Sequence, residues 1–205
     1  MNPAFFASFI ALILFITISI KKQTKLTRQR EEAFWSREQR ANAVRRKPLD
    51  NLKYIKIPLE TFPTHLLNDD PKVLECIDIL ETLTSRNIVN FTGFSNTDLK
   101  LEYGTANIEA LTEYDQNYTL LVRTLQKWAD LLLEAGYAKE ASTLMEFAVS
   151  TDTDISRTYY LLAEYLVSHG QAAKIDHLVR TAENLRSANR DSIVKTLRDK
   201  YPNVF

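Results

Sequence analysis

The sequence predicts an all-α chain: an N-terminal transmembrane helix, then an antiparallel helical-repeat domain closed by a C-terminal capping helix. Three observations carry that prediction. Residues 4–20 hold no charge, and fourteen of the seventeen are apolar. Apolar residues recur at helical spacing over 71–86 and again from Tyr114 onward. Only 4 glycines occur, and two of them, Gly136 and Gly170, stand where helices should end.

Residues 1–3 read as a short extracytoplasmic N-terminus and 4–20 as the membrane anchor. As a helix the anchor spans roughly 25 Å, the short end for a bilayer core. Ser8, Thr17 and Ser19 can bond back to their own helix. A cleaved signal peptide would carry its basic stretch before the apolar core, whereas here Lys21 and Lys22 follow it. The segment 21–47 holds ten Lys and Arg against Glu31, Glu32 and Glu38, a net of +7. That asymmetry places the C-terminal side in the cytoplasm. Lys21, Lys22, Lys25, Arg28 and Arg30 are the candidate membrane-surface residues, able to attract anionic lipid. The basic segment can continue as a polar helix carrying Phe34 and Trp35.

Pro48, Pro58 and Pro63 punctuate a connector over 48–68, with one short strand-like stretch at 52–57 whose apolar side chains should lie on the helical domain. Asp69-Asp70-Pro71 then reads as a helix start, with a capping acid and proline in the first turn. The spacing predicts a helix over 71–86, with Cys76 as a small buried hydrophobe. Residues 88–113 lack a clean period; a short helix at 98–103 and a packing role are expected. Further helices are expected at 115–135, 138–150, 154–168, 172–186 and 190–200.

Composition narrows the function. The chain has 205 residues with 26 basic and 26 acidic, so its formal net charge is zero, but 48–205 alone carries −7. An acidic domain does not suit phosphate contacts, so nucleic acid is excluded as a partner. A single cysteine excludes a disulfide-stapled scaffold. No phosphate loop, zinc-binding His pair or Cys pair is present, and His65, His169 and His177 share no helix face. His169, beside Gly170, should meet helix-end carbonyls. No catalytic residue, cofactor or metal site is expected.

The 34-residue offset between Gly136 and Gly170 extends to their neighbours. Trp128 aligns with Leu162, Ala129 with Ala163, Leu132 with Leu166, Met145 with Val179 and Ala148 with Ala182. Small alanines let antiparallel helices approach, and large apolar residues fill the groove between them. With its helix-turn-helix period, the segment Leu125–Ala141 resembles the tetratricopeptide-repeat family. The resemblance covers about 122–189, as units 122–155 and 156–189 with a cap at 190–201, within a helical domain over 69–205. Ile175 departs from the pattern where the first unit has Ala141, and neither unit ends in the family's proline.

The resemblance implies a protein or peptide partner held on the face formed by the first helix of each unit. Carried over by register, the lining is Arg123, Gln126, Asp130 and Leu133, then Arg157, Tyr160, Glu164 and Val167. Asp130 and Glu164 do not suit a clamp for C-terminal carboxylates. The expected function is a single-pass membrane adaptor or scaffold. Two alternatives stand: a structural subunit assembled through the span, on its small-residue stripe Ala4, Ala7, Ser8 and Ala11, and a membrane-tethered enzyme using 88–113.

Overall fold

The computed structural model describes residues 3–204, with the side chains of 3–11, 13 and 14 left out. Eight α-helices make up the described chain: α1 (Pro3–Asn42), α2 (Pro71–Thr84), α3 (Asn96–Tyr103), α4 (Ile108–Glu134), α5 (Ala138–Ser150), α6 (Ser156–Ser168), α7 (Lys174–Glu183) and α8 (Arg190–Lys200). Among the described residues there is no strand, so the stretch at 52–57 is extended chain only. The chain divides into two compact units, residues 1–47 with 96–106, and residues 48–95 with 107–205. The expected helical domain over 69–205 is therefore interrupted, because 96–106 folds with the N-terminal segment.

In the first unit, α1 runs unbroken for 40 residues, roughly 60 Å. No proline or glycine lies between Ala4 and Lys47 to stop it. It ends at Asn42, so the basic segment expected as a helix to 47 leaves the helix early. There Ala43 and Val44 turn back onto the carbonyls of Arg40 and Ala41. The short α3 packs on α1. Glu38 accepts from Thr97 and from Lys100, the latter at 3.1 Å, and Arg37 pairs with Asp98. Lys47 N–H donates to the Tyr103 carbonyl at 3.0 Å. Gly104, at φ +89°, makes this closure possible: a Cβ there would fall on the Arg45 carbonyl.

Among the described residues no helix is long and apolar enough to cross a membrane. The anchor expected at 4–20 falls largely on 4–11, 13 and 14, whose side chains lie outside the described set. Of its other residues, Leu12, Phe15, Ile16, Ile18 and Ile20 are all exposed, by 46–69%. Phe34 and Trp35 further along α1 are exposed too, stacked edge to face at 5.3 Å.

In the second unit, Asp70 caps α2 by accepting from the Lys72 N–H at 2.8 Å, with Pro71 in the first turn. Cys76 is fully buried, and burial pushes its thiol pKa up. Helix α2 packs on α4, α4 on α5, α5 on α6, α6 on α7 and α8, and α7 on α8. One apolar core runs through all of them, built around Trp128, Tyr159, Leu132, Leu144 and Ile175. Ile55 and Ile57 of the connector cover part of it, and Ile55 N–H donates to the Ile88 carbonyl at 2.9 Å.

The repeat offset is visible in the backbone. At the end of α4, Gly136 N–H bonds the Leu133 carbonyl and Tyr137 N–H the Leu132 carbonyl. At the end of α6, Gly170 N–H bonds Val167 and Gln171 N–H bonds Leu166 in the same way. Both are Schellman caps with glycine at positive φ. The starts of α6 and α8, Ser156 and Arg190, are separated by the same offset as the two glycines. The aligned apolar pairs, Trp128 and Leu162, Ala129 and Ala163, Ala148 and Ala182, are buried in both copies. The largest departures from the expected boundaries are in α4, which begins at Ile108 instead of 115, and in α7, which spans only Lys174–Glu183. The early start of α4 buries Leu111 one heptad ahead of Tyr118.

Candidate functional site

Three surfaces of the second unit present polar side chains with defined partners. The first lies along α4, α6 and α8. Asp130 on α4 accepts from the Arg157 guanidinium on α6 at 2.9 Å and from Gln126 Nε2 at 3.0 Å. Thr158 Oγ1 donates to Gln126 Oε1 at 2.6 Å. Further along α6, Glu164 accepts from Lys200 on α8 at 2.5 Å. Asp130 and Glu164 lie 34 residues apart, and each bridges its helix to another, Asp130 to α6 and Glu164 to α8.

The fold thus brings Gln126, Asp130 and Arg157 into one network. Glu164 sits in a second one. Tyr160 is part-buried against the core, and Arg123 is exposed. Of the expected recognition residues, Gln126, Asp130 and Arg157 engage one another, and Glu164 engages Lys200. These ion pairs are half-exposed, so each contributes little stability. They stitch neighbouring helices together without closing the face.

The second surface is an open groove where Arg123, Gln126 and Asp130 meet Lys72, Glu75 and Lys127 of α2 and α4. Lys127 is paired to Glu75 at 2.6 Å, and that bond raises the lysine pKa. The groove is shallow and mixed in sign, suited to polar contact more than to enclosing a small molecule.

The third surface is a cleft of about 560 Å³ between the extended 53–56 segment, the 90–94 loop, the end of α5 and the chain after α7. Ile55, Phe94, Phe147 and Leu185 supply its apolar lining, while Lys56 and Arg186 stand on its edge. Its wall is held rigidly. Asn90 Nδ2 donates to the carbonyls of both Thr151 and Asp152, at 3.0 and 3.1 Å. Tyr118 Oη donates to the Thr151 carbonyl at 3.1 Å and Tyr159 Oη to the Thr153 carbonyl at 3.0 Å. Burial pushes both phenols well above their ordinary pKa. Asp152 sits at φ +61°, a conformation aspartate tolerates, and pairs with Lys53 at 3.2 Å.

No sequence signal marks this cleft. Lys56 and Arg186 belong to segments far apart in the chain with no shared period, so no spacing rule joins them. Elsewhere the histidine expectation is met. His169 Nδ1 lies 2.9 Å from the Tyr165 carbonyl at the end of α6, with its ring stacked on Tyr165. Among the described residues no group of three or more His, Cys, Asp and Glu converges as a metal site.

In the first unit, Lys21, Lys22, Lys25, Arg28 and Arg30 are all exposed on α1, and Arg28 pairs with Glu32 at 3.1 Å. In the segment considered for catalysis, Asp98 and Lys100 hold α3 to α1. Comparison of the chain with protein-family models, curated proteins and solved structures gives no match.

Proposed function

We propose that the chain is a single-pass, membrane-anchored adaptor whose tetratricopeptide-like helical unit holds another protein on the cytoplasmic face. The observation that carries this reading is the N-terminal part of α1. Leu12, Phe15, Ile16, Ile18 and Ile20 are exposed over a roughly 200° arc of the helix. A helix apolar on most of its circumference, with no charge over 4–20, is stable where lipid replaces packing partners. The exposed cations that follow orient it and add attraction to anionic headgroups. The stacked helical pairs with matching caps supply a rigid surface for a partner, as repeat stacks do.

Topology mapping tests the reading. In a Cys76→Ala background, one cysteine is placed at the exposed Ser36, and intact cells are treated with a membrane-impermeant thiol reagent. Protection until the membrane is opened, with retention of the chain in carbonate-washed membranes, is the expected result. Labelling of intact cells would turn the unit outward. Release by carbonate would remove the anchor. A photocrosslinker at Tyr160 tests the adaptor role separately: it should capture a protein, and capture of none would reject that role.

A further inference from the structure

We infer that the cleft between the 53–56 segment and the chain after α7 is a docking site for an acidic peptide segment with an aromatic or aliphatic side chain. The inference rests on the adaptor reading and supplies its partner chemistry. The unit that holds the cleft is acidic: 48–205 carries −7, of which 96–106, in the other unit, accounts for only −1 through Asp98, Lys100 and Glu102. The cleft is locally the reverse. Its acid, Asp152, is already paired to Lys53. Among the described residues Lys56 and Arg186 make no ion pair.

Arg186 is also held in place. Its guanidinium lies 4.5 Å over the Phe94 ring, and a Cβ on Gly93 would come within 2.6 Å of the Arg186 Cβ. Glycine at 93 therefore lets a cation and an aromatic ring share one edge of the cleft. Behind them Ile55, Phe147 and Leu185 line a pocket large enough for one bulky side chain. Two unspent cations flanking an apolar cavity complement a carboxylate beside a hydrophobic residue. The hydrogen-bonded turn at 151–153 keeps the wall from closing.

Full-length protein in phosphatidylcholine nanodiscs is titrated against a blocked, fluorescein-labelled peptide that alternates glutamate with phenylalanine. A second peptide replaces glutamate by glutamine. The acidic peptide should bind about tenfold tighter. Lys56→Gln and Arg186→Gln should each weaken it roughly three- to tenfold, with Lys139→Gln, exposed at the start of α5 away from the cleft, as the unaffected control. Binding with no preference for the acidic peptide overturns the site. So does an acidic preference that survives in the Lys56→Gln/Arg186→Gln double variant, which would assign the peptide to the basic segment 21–47. A partner captured from Tyr160 alongside either overturning result leaves the adaptor reading intact and removes only this cleft from it.

Discussion

Asn90 and Tyr118 donate to the same oxygen: the Nδ2 of one and the phenol of the other meet at the Thr151 carbonyl, at 3.0 and 3.1 Å. The neighbouring Thr153 carbonyl has one side-chain donor among the described residues, Tyr159. That asymmetry orders two substitutions that look alike on paper. Tyr118→Phe leaves Thr151 still satisfied and should cost about 0.5–1.5 kcal/mol. Tyr159→Phe strands a buried carbonyl and should cost about 1–3 kcal/mol. Urea midpoints of the two variants check the order, and the reverse order would mean the Tyr159 bond carries little.

The same phenols predict an alkaline weakness. Burial raises both in the folded state above the unfolded value near 10. Their contribution is therefore complete below about pH 10 and falls as pH rises beyond it, because only the unfolded chain then releases the protons. The slope should be about 1.4 kcal/mol per pH unit for each tyrosine. Tyr118→Phe should remove one tyrosine's share of the slope between about pH 10 and 11, measured by urea unfolding. An unchanged slope would place that phenol in contact with solvent.

Glycines 104 and 136 have nearly the same φ, +89° and +87°, and different surroundings. Gly136→Ala meets nothing within 4 Å and should cost about 1–2 kcal/mol, the left-handed penalty alone. Gly104→Ala also drives a methyl into the Arg45 carbonyl and should cost about 2–5 kcal/mol. The loss should appear as faster amide exchange across α3. Equal costs would show that the chain at 43–47 yields freely.

Trp128 is fully buried, yet its indole N–H has no protein partner among the described residues. Its contribution is thus contact alone, including the edge-to-face ring of Phe62 at 6.2 Å. Trp128→Phe should cost less than about 2 kcal/mol, and Trp128→Ala about 3–5 kcal/mol. Thermal unfolding of the two variants separates these. A large loss in the phenylalanine variant would reveal a hydrogen bond to the indole.

Glu38 is held below its ordinary carboxylate pKa by donation from Thr97 and then Lys100. The contribution to α3 docking is present above the unfolded value near 4.5 and is lost as pH falls below it. Exchange across α3 should therefore accelerate on acidification in the native chain, relative to α5 as an internal reference. In Glu38→Gln that acceleration should disappear. Its persistence would place the acid response in the Arg37–Asp98 pair.

Local signals read from residue types alone survive folding well. Helices α5 and α8 begin and end where the pattern places them, because a glycine turn precedes α5 and an apolar stripe marks each. The cap at Asp70 and the glycine stops at 136 and 170 are short-range chemistry, set by side chains and φ preferences within a few residues. Structure and expectation part where the deciding contact is distant. The start of α4 escapes the pattern because the single apolar turn of Ile108 and Leu111, coming straight after the irregular chain at Gly104–Asn107, fixes no period, and Leu111 gains its burial only from the fold.

What the sequence determined by itself is the helical class, the repeat offset, the charge-free segment 4–20 and the basic stretch after it, all properties of neighbours along the chain. What only the tertiary structure decided is which polar side chains are already spent. Asp130 and Glu164 turned from candidate ligands into bridges between helices, since their partners Arg157 and Lys200 are brought to them by packing. Asp98 and Lys100 became ties between α3 and α1 in the same way. Lys56 and Arg186 were left facing one cleft for the converse reason: the fold brought them together, and the acid it brought there, Asp152, pairs with Lys53 instead. Electrostatic pairing depends on distance in space, and a one-dimensional pattern contains that distance only where both partners share a helix.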